Sequence, residues 1–181
     1  LVLQSIVVLT PSTAFMAASF VPPVGRTKPS MFPAEPTDDW EEWWDARIDA
    51  MRPVLGEPDD GVYHASVPFY LGGTADVIVF PQHIDGYVYV TADLIGDDQQ
   101  IANEFGHYEL MCCERNESDW IPGILSNLAR YTTDAKLNPF DTMDIGAALP
   151  DRSTIDAFLF VKYATFEVKG IPAGLLLCLG I

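Results

Sequence analysis

The chain of 181 residues is 49% hydrophobic, 12% aromatic and 20% charged, which suits one globular domain with its own core and excludes extensive disorder. Its 26 acidic side chains against 10 basic ones give a formal charge of −16. That charge repels phosphate backbones and anionic lipid, so a nucleic-acid binder and a basic membrane-surface protein are excluded, and a charged partner would be basic.

The first 36 residues are read as an unassigned extension or lead-in, and 37–181 as the domain. Leu1–Gly25 carries no charge, but Pro11, Pro22 and Pro23 interrupt it, leaving too few continuous apolar residues to span a bilayer. No basic segment precedes it, as a secretory signal would require. A short strand is expected near Ile6–Leu9. Pro22, Pro23, Pro29, Pro33 and Pro36 then make an extended stretch that no helix interior tolerates.

The first helix is predicted from Thr37, as N-cap, to Pro53, with Asp38, Asp39, Glu41 and Glu42 in the first turn, where the helix dipole favours carboxylates. Trp40, Trp43, Trp44, Ile48 and Met51 recur at helical spacing and form an inward stripe. Trp43 and Trp44 lie about 100° apart around that helix, so both rings cannot point into one core, and one of them is an interface candidate.

Strands follow at Val62–Leu71, Ala75–Phe80 and Tyr87–Thr91, with Asp85-Gly86 as a hairpin signal between the last two. The segment Gly96–Glu104 reads as a polar loop and His107–Glu114 as a strand. Within that strand Glu109 is expected to bond neighbouring backbone or a basic side chain. A second helix is predicted from Asp119, as its cap, to about Thr132, with Ile121, Ile124, Leu125, Leu128 and Ala129 as its apolar stripe. Further strands are expected at Ala157–Tyr163, Thr165–Val168 and Leu175–Leu179. Strands outnumber helices and lack regular crossovers, so the fold class is α+β: a mixed or mainly antiparallel sheet packed with a few helices, sandwich-like.

Three cysteines cannot pair completely, and adjacent Cys112 and Cys113 point to opposite faces of a strand. Cys178 sits in an apolar run. A disulfide framework is not expected, and reduced, cytoplasmic chemistry fits best.

The segments Tyr89-Val90-Thr91-Ala92-Asp93-Leu94, Tyr108-Glu109-Leu110-Met111, Asp119-Trp120 with Leu125-x-x-Leu128-Ala129-Arg130-Tyr131, and the apolar run from Gly174 to Ile181 resemble, in order and spacing, the suppressor of fused domain family, especially its bacterial branch. The sequence departs from that pattern at Ala92-Asp93-Leu94, where the family more often has glycine near the strand end. The resemblance implies a mixed α+β sandwich and a protein-binding role without catalysis, and, in the bacterial branch, an immunity protein that neutralises a toxin. It implies no catalytic, cofactor-binding or metal-binding residue and no small-molecule ligand. The expected partner is another protein, such as a basic toxin domain.

Residues 37–119 carry the whole excess of negative charge. The candidate protein interface is therefore Asp38, Asp39, Glu41, Glu42, Trp44, Asp45, Asp97, Asp98 and Glu104. The competing reading is a small metal-dependent or hydrolytic enzyme, because His83-x-Asp85 and His107-x-Glu109 each place a histidine and a carboxylate on one face of an extended chain. That reading requires the two pairs to meet in the fold. A cysteine nucleophile is disfavoured, since His107 and Cys112 stand roughly 16 Å apart along one strand.

Overall fold

The computed structural model describes residues 8–9, 24–27, 38–149 and 153–181. Among these residues two α-helices flank one mixed sheet, α1 (Asp38–Leu55) on one face and α2 (Ile121–Tyr131) on the other. The strands are β1 (Val8–Leu9), β2 (Val24–Thr27), β3 (Val62–His64), β4 (Val77–Phe80), β5 (Tyr87–Thr91), β6 (His107–Glu114), β7 (Thr142–Asp144), β8 (Ala157–Val168) and β9 (Ile171–Gly180). Their order in the sheet is β1-β7-β8-β9-β6-β5-β4-β3-β2. Strands β6 and β9 are parallel, as are β1 and β7, and every other neighbouring pair is antiparallel. The α+β class is the one expected.

The side-chain period of two divides the core between the faces. Val77, Val79, Tyr89, Tyr108, Leu110 and Leu176 point towards α2, whose Ile121, Ile124, Leu125 and Leu128 cover them. Ile78, Phe80, Val88, Val90, Met111 and Leu175 point towards α1, which supplies Ile48, Met51 and Leu55. The inward residues of α1 recur at helical spacing, as the sequence predicts. Helix α2 covers the central strands β4, β5 and β6, which explains why they are apolar on both faces.

The segments expected at Ala157–Tyr163 and Thr165–Val168 are one strand. Its register slips between Lys162 and Ala164, which pair with Leu176 and Leu175, leaving Tyr163 as the extra residue of a β-bulge. The slip reverses the alternation: Phe158 and Phe160 face α2, whereas Ala164 and Phe166 face α1. A single strand thus serves both halves of the core.

Other boundaries differ for local reasons. Helix α1 continues two residues past Pro53, because a proline in the last turn forfeits one hydrogen bond while the turn still closes through Gly56 N–H to Arg52 O. Thr37 lies outside the described residues. At α2 the N-cap position is Trp120, not Asp119, and no side chain caps it; two residues earlier Ser118 Oγ accepts Ile121 N–H at 3.3 Å. The strand expected over Val62–Leu71 stops at His64, because Asp76 Oδ1 takes Ala65 N–H at 2.7 Å and turns the chain towards a short 3₁₀ turn at Phe69–Leu71. Strand β7 and the lead-in strand β2 have no counterpart in the sequence reading, and β1 falls within the stretch expected near Ile6–Leu9.

Truncating Phe160, fully buried on the α2 face, leaves a cavity that α2 and β9 cannot close. Phe160→Ala should lower unfolding free energy by about 3–5 kcal/mol, whereas Leu179→Ala, at an exposed position, should cost less than about 1 kcal/mol. Urea midpoints with unchanged m-values test the pair.

Candidate functional site: the clasped loop and its acidic rim

Strand β5 leaves the sheet after Thr91, while β6 runs on to His107, so the first residues of β6 lose their ladder partner on that side. Side chains replace the missing ladder. Thr91 Oγ1 accepts Leu110 N–H at 2.9 Å, and the Gln100 amide pairs with both backbone groups of Tyr108, donating to its carbonyl at 2.8 Å and accepting its N–H at 3.0 Å. The backbone groups of Tyr108 and the N–H of Leu110 are thus satisfied beneath the loop, while His107 Nδ1, at the start of the same strand, is buried without a hydrogen-bond partner.

Glu109 holds that loop from within. It projects to the α1 face of β6, and its surface is fully buried. Its Oε1 accepts the N–H groups of Leu94 and Ile95, each at 2.9 Å, and its Oε2 meets the Thr91 hydroxyl at 2.6 Å. From the other side Arg47, on α1 and 6% exposed, donates Nε–H to Ile95 O at 2.6 Å and Nη1–H to Ala92 O at 3.1 Å. Helix, loop and strand are therefore clasped by one buried acid and one buried base. The expectation that Glu109 bonds neighbouring backbone holds, although the backbone belongs to the loop after β5.

A second polar group adjoins this clasp. Asp93 Oδ2 accepts Asp76 N–H at 2.8 Å, and Asp76 Oδ2 meets His64 Nδ1 at 2.8 Å. Burial pushes Glu109 up to about 7, against the opposing pull of Arg47 and the hydrogen bonds it accepts. Burial, followed by the Asp76 carboxylate, raises Asp93 well above the ordinary aspartate range. His64 is raised by its bond to Asp76.

The loop then turns outward at Gly96, which has φ +87°. The Trp43 ring lies over it, so a Cβ built there would fall 2.5 Å from a ring carbon. Trp43 also carries Lys169 Nζ at 4.9 Å and the Arg47 guanidinium at 5.8 Å from its centroid. Glycine is required on both counts, conformation and space.

This packing brings parts of the predicted interface together. Asp39, Glu41, Glu42 and Asp45 are exposed on α1, and Asp97 and exposed Asp98 follow directly on Gly96. Lys169, in the turn between β8 and β9, pairs with Glu42 at 3.0 Å. Glu104 is exposed on the Asn103–Gly106 turn, and that turn packs on Pro172 at the start of β9, the same end of the sheet. Asp38 opens α1, and its side chain lies outside the described residues. Trp44 is drawn inward: it stacks on Trp40 with centroids 5.3 Å apart and packs, partly buried, against the α1 face of the core. All three tryptophans of α1 are partly buried, since Trp43 seats on Gly96 and Ile95 and the other two pair with each other.

The two histidine pairs are not brought together. His83 lies in the loop between β4 and β5 and hydrogen-bonds Tyr163 Oη. Tyr87, which follows that loop, pairs with Glu114, at the far end of β6 from His107 and roughly 23 Å of strand away. Among the described residues no group of three or more His, Cys, Asp and Glu is placed to hold a metal ion. Burial raises the Cys112 thiol to about 12 and Cys178 well above its ordinary value, which suits packed side chains better than nucleophiles. Cys113, on the opposite face, is exposed, and all three cysteines are free. No helix among the described residues is long and apolar enough to cross a membrane.

Glu109 was visible in the sequence as a carboxylate in an apolar strand. The sequence reading does not single out Arg47 or Gly96; the available signals are an arginine among the inward positions of α1 and a glycine five residues after the end of β5. No protein-family model matches the chain, and no curated protein matches it either, so the functional reading rests on the residues and their geometry.

Two measurements check this arrangement. Gly96→Ala should destabilise the fold by roughly 1–3 kcal/mol and change Trp43 fluorescence, because the new methyl group meets the ring and the backbone resists a positive φ. Because His64 is raised by Asp76, the stability it contributes is fully present below pH 6.5 and is lost as pH rises through its folded midpoint. His64→Gln should remove that part of the pH dependence of the urea midpoint.

Proposed function

We propose that the protein is a non-catalytic protein-binding domain that docks a basic partner on its acidic end, in the manner expected of an immunity protein neutralising a toxin. The observation that carries this reading is the seat of Trp43 on Gly96. It joins the carboxylates of α1 to Asp97 and Asp98, which stand some fifty residues further along the chain, on one end of the molecule. Charges scattered for solubility need no such junction.

The physical logic is electrostatic. A dense negative rim raises the encounter rate with a basic partner and orients it before contact, while rigid backbone beneath keeps the rim's shape. Here Arg47 and Glu109 supply that rigidity from inside. The sequence's likeness to suppressor of fused domains points to the same class of role, and the adjacent reading frame is the first place to seek a basic toxin partner.

Binding to the product of that reading frame should depend on the rim. The combined substitution Asp39→Asn, Glu41→Gln, Asp97→Asn and Asp98→Asn should lower the association rate about 10-fold or more at low salt and leave the dissociation rate nearly unchanged. Stopped-flow or surface-based kinetics across ionic strength measures both, and an association rate indifferent to salt and to these substitutions overturns the docking site.

A further inference from the structure

The clasp that holds loop 92–98 has a charge problem. Two carboxyl groups, Glu109 and Asp93, share the field of one guanidinium, that of Arg47, whose Nε and Nη1 donate to the carbonyl oxygens of Ile95 and Ala92, and the Asp76 carboxylate adjoins Asp93. On its own strand His107 stands two residues away on the same face, with Nδ1 buried and without a hydrogen-bond partner, and the neighbouring elements bring no Lys or Arg besides Arg47 to Glu109. Its β9 partner is Leu175, Phe166 of β8 is apolar, and His64 is engaged one step away on Asp76. Lys169 lies against Trp43 and pairs outward with Glu42. A fully buried carboxylate in such surroundings is costly in its ionised form.

The hydrogen bonds favour the ionised carboxyl, yet a neutral one can keep them all, and burial outweighs their pull. Oε1 takes both loop N–H groups, which a carbonyl oxygen can also accept, while Oε2 faces the Thr91 hydroxyl. That hydroxyl already accepts Leu110 N–H. It can donate its own hydrogen to an ionised Oε2, or accept a proton carried on Oε2 through its remaining lone pair. Lifting the loop removes Leu94 and Ile95 from Glu109 and opens the carboxyl to water.

We propose that Glu109 makes loop 92–98 a proton-linked latch, closed over the carboxyl while it holds a proton and loosened when it ionises. The sign follows from linkage. Burial in the closed fold raises the Glu109 midpoint to about 7 against the lowering pull of the Leu94 and Ile95 N–H groups, and water reaching the carboxyl returns it towards the ordinary 4.5, so a proton binds the buried form more tightly than the opened one. Closure is strongest below the ordinary value and is lost as pH rises through 7. The device stands whether or not the loop docks a partner, and if it does, the rim carrying Asp97 and Asp98 is best ordered on the acid side of neutrality.

Amide hydrogen exchange on the full chain tests this, with protection factors corrected for the intrinsic pH dependence of exchange. Protection of the Leu94 and Ile95 amides should fall about 10- to 100-fold from pH 5 to pH 8, more steeply than that of Leu176 in the central sheet. Glu109→Gln keeps the shape and the Oε1 acceptor and donates to Thr91 with its amide. The variant should hold the loop closed with protection independent of pH. A flat wild-type profile, or a slope that persists in Glu109→Gln, overturns the latch. Should the variant fail to fold, the ¹³C titration of the wild-type Glu109 carboxyl decides: a midpoint near 7 supports the latch and one near 4.5 overturns it.

Discussion

Where β5 turns out of the sheet, the longer β6 is left with backbone groups that a neighbouring strand would otherwise satisfy, and buried polar groups must find partners. Thr91 and Gln100 answer that constraint for β6, and the carboxyl of Glu109 and the guanidinium of Arg47 answer it for the loop that leaves the sheet, one gripping its N–H groups and the other its carbonyls. Together they convert the end of a sheet into a fixed platform. The seat of Trp43 on Gly96, the approach of α1 to the loop and the meeting of two acidic stretches all follow from the loop being held there.

The remainder of the fold is organised to make such a platform possible. Two helices on opposite faces bury the central strands on both sides, and the bulge at Tyr163 lets the long β8 contribute Phe158 and Phe160 to one core and Ala164 and Phe166 to the other. A rigid double-faced sheet leaves variation to its ends. One end carries the acidic rim and the other the loop in which His83 reaches Tyr163. This separation is why the histidines sit in different chemical settings and why a rim-docking role suits the geometry better than chemistry shared between them.

Burying the Glu109 carboxyl and the Arg47 guanidinium is an expensive way to fix a loop, since an apolar contact would seal the same space without desolvating charge. What the polar clasp offers is direction. It specifies which N–H and which carbonyl go where, and so sets the register of a loop whose Ala92, Leu94 and Ile95 side chains are each buried in a different cluster of the core. It also leaves the loop's order tied to a proton.

Sequence alone determined the α+β class, both helices, the central strands and the regional concentration of charge, because each rests on local periodicity or on counting. The amphipathic stripe of α1 and the continuous β-branched and aromatic run of Tyr87–Thr91 are properties of neighbours in the chain. It also marked Glu109 as a carboxylate in need of a partner. Tertiary structure alone decided that the partners are Leu94 and Ile95, that Arg47 stands opposite, that Trp43 rests on Gly96 and that Trp44 stacks on Trp40. These contacts join segments separated by tens of residues, and their closure depends on where β5 ends, on the bulge in β8 and on the angle at which α1 crosses the sheet. None of those leaves a periodic trace in the chain, so the site became legible only once the layers were packed.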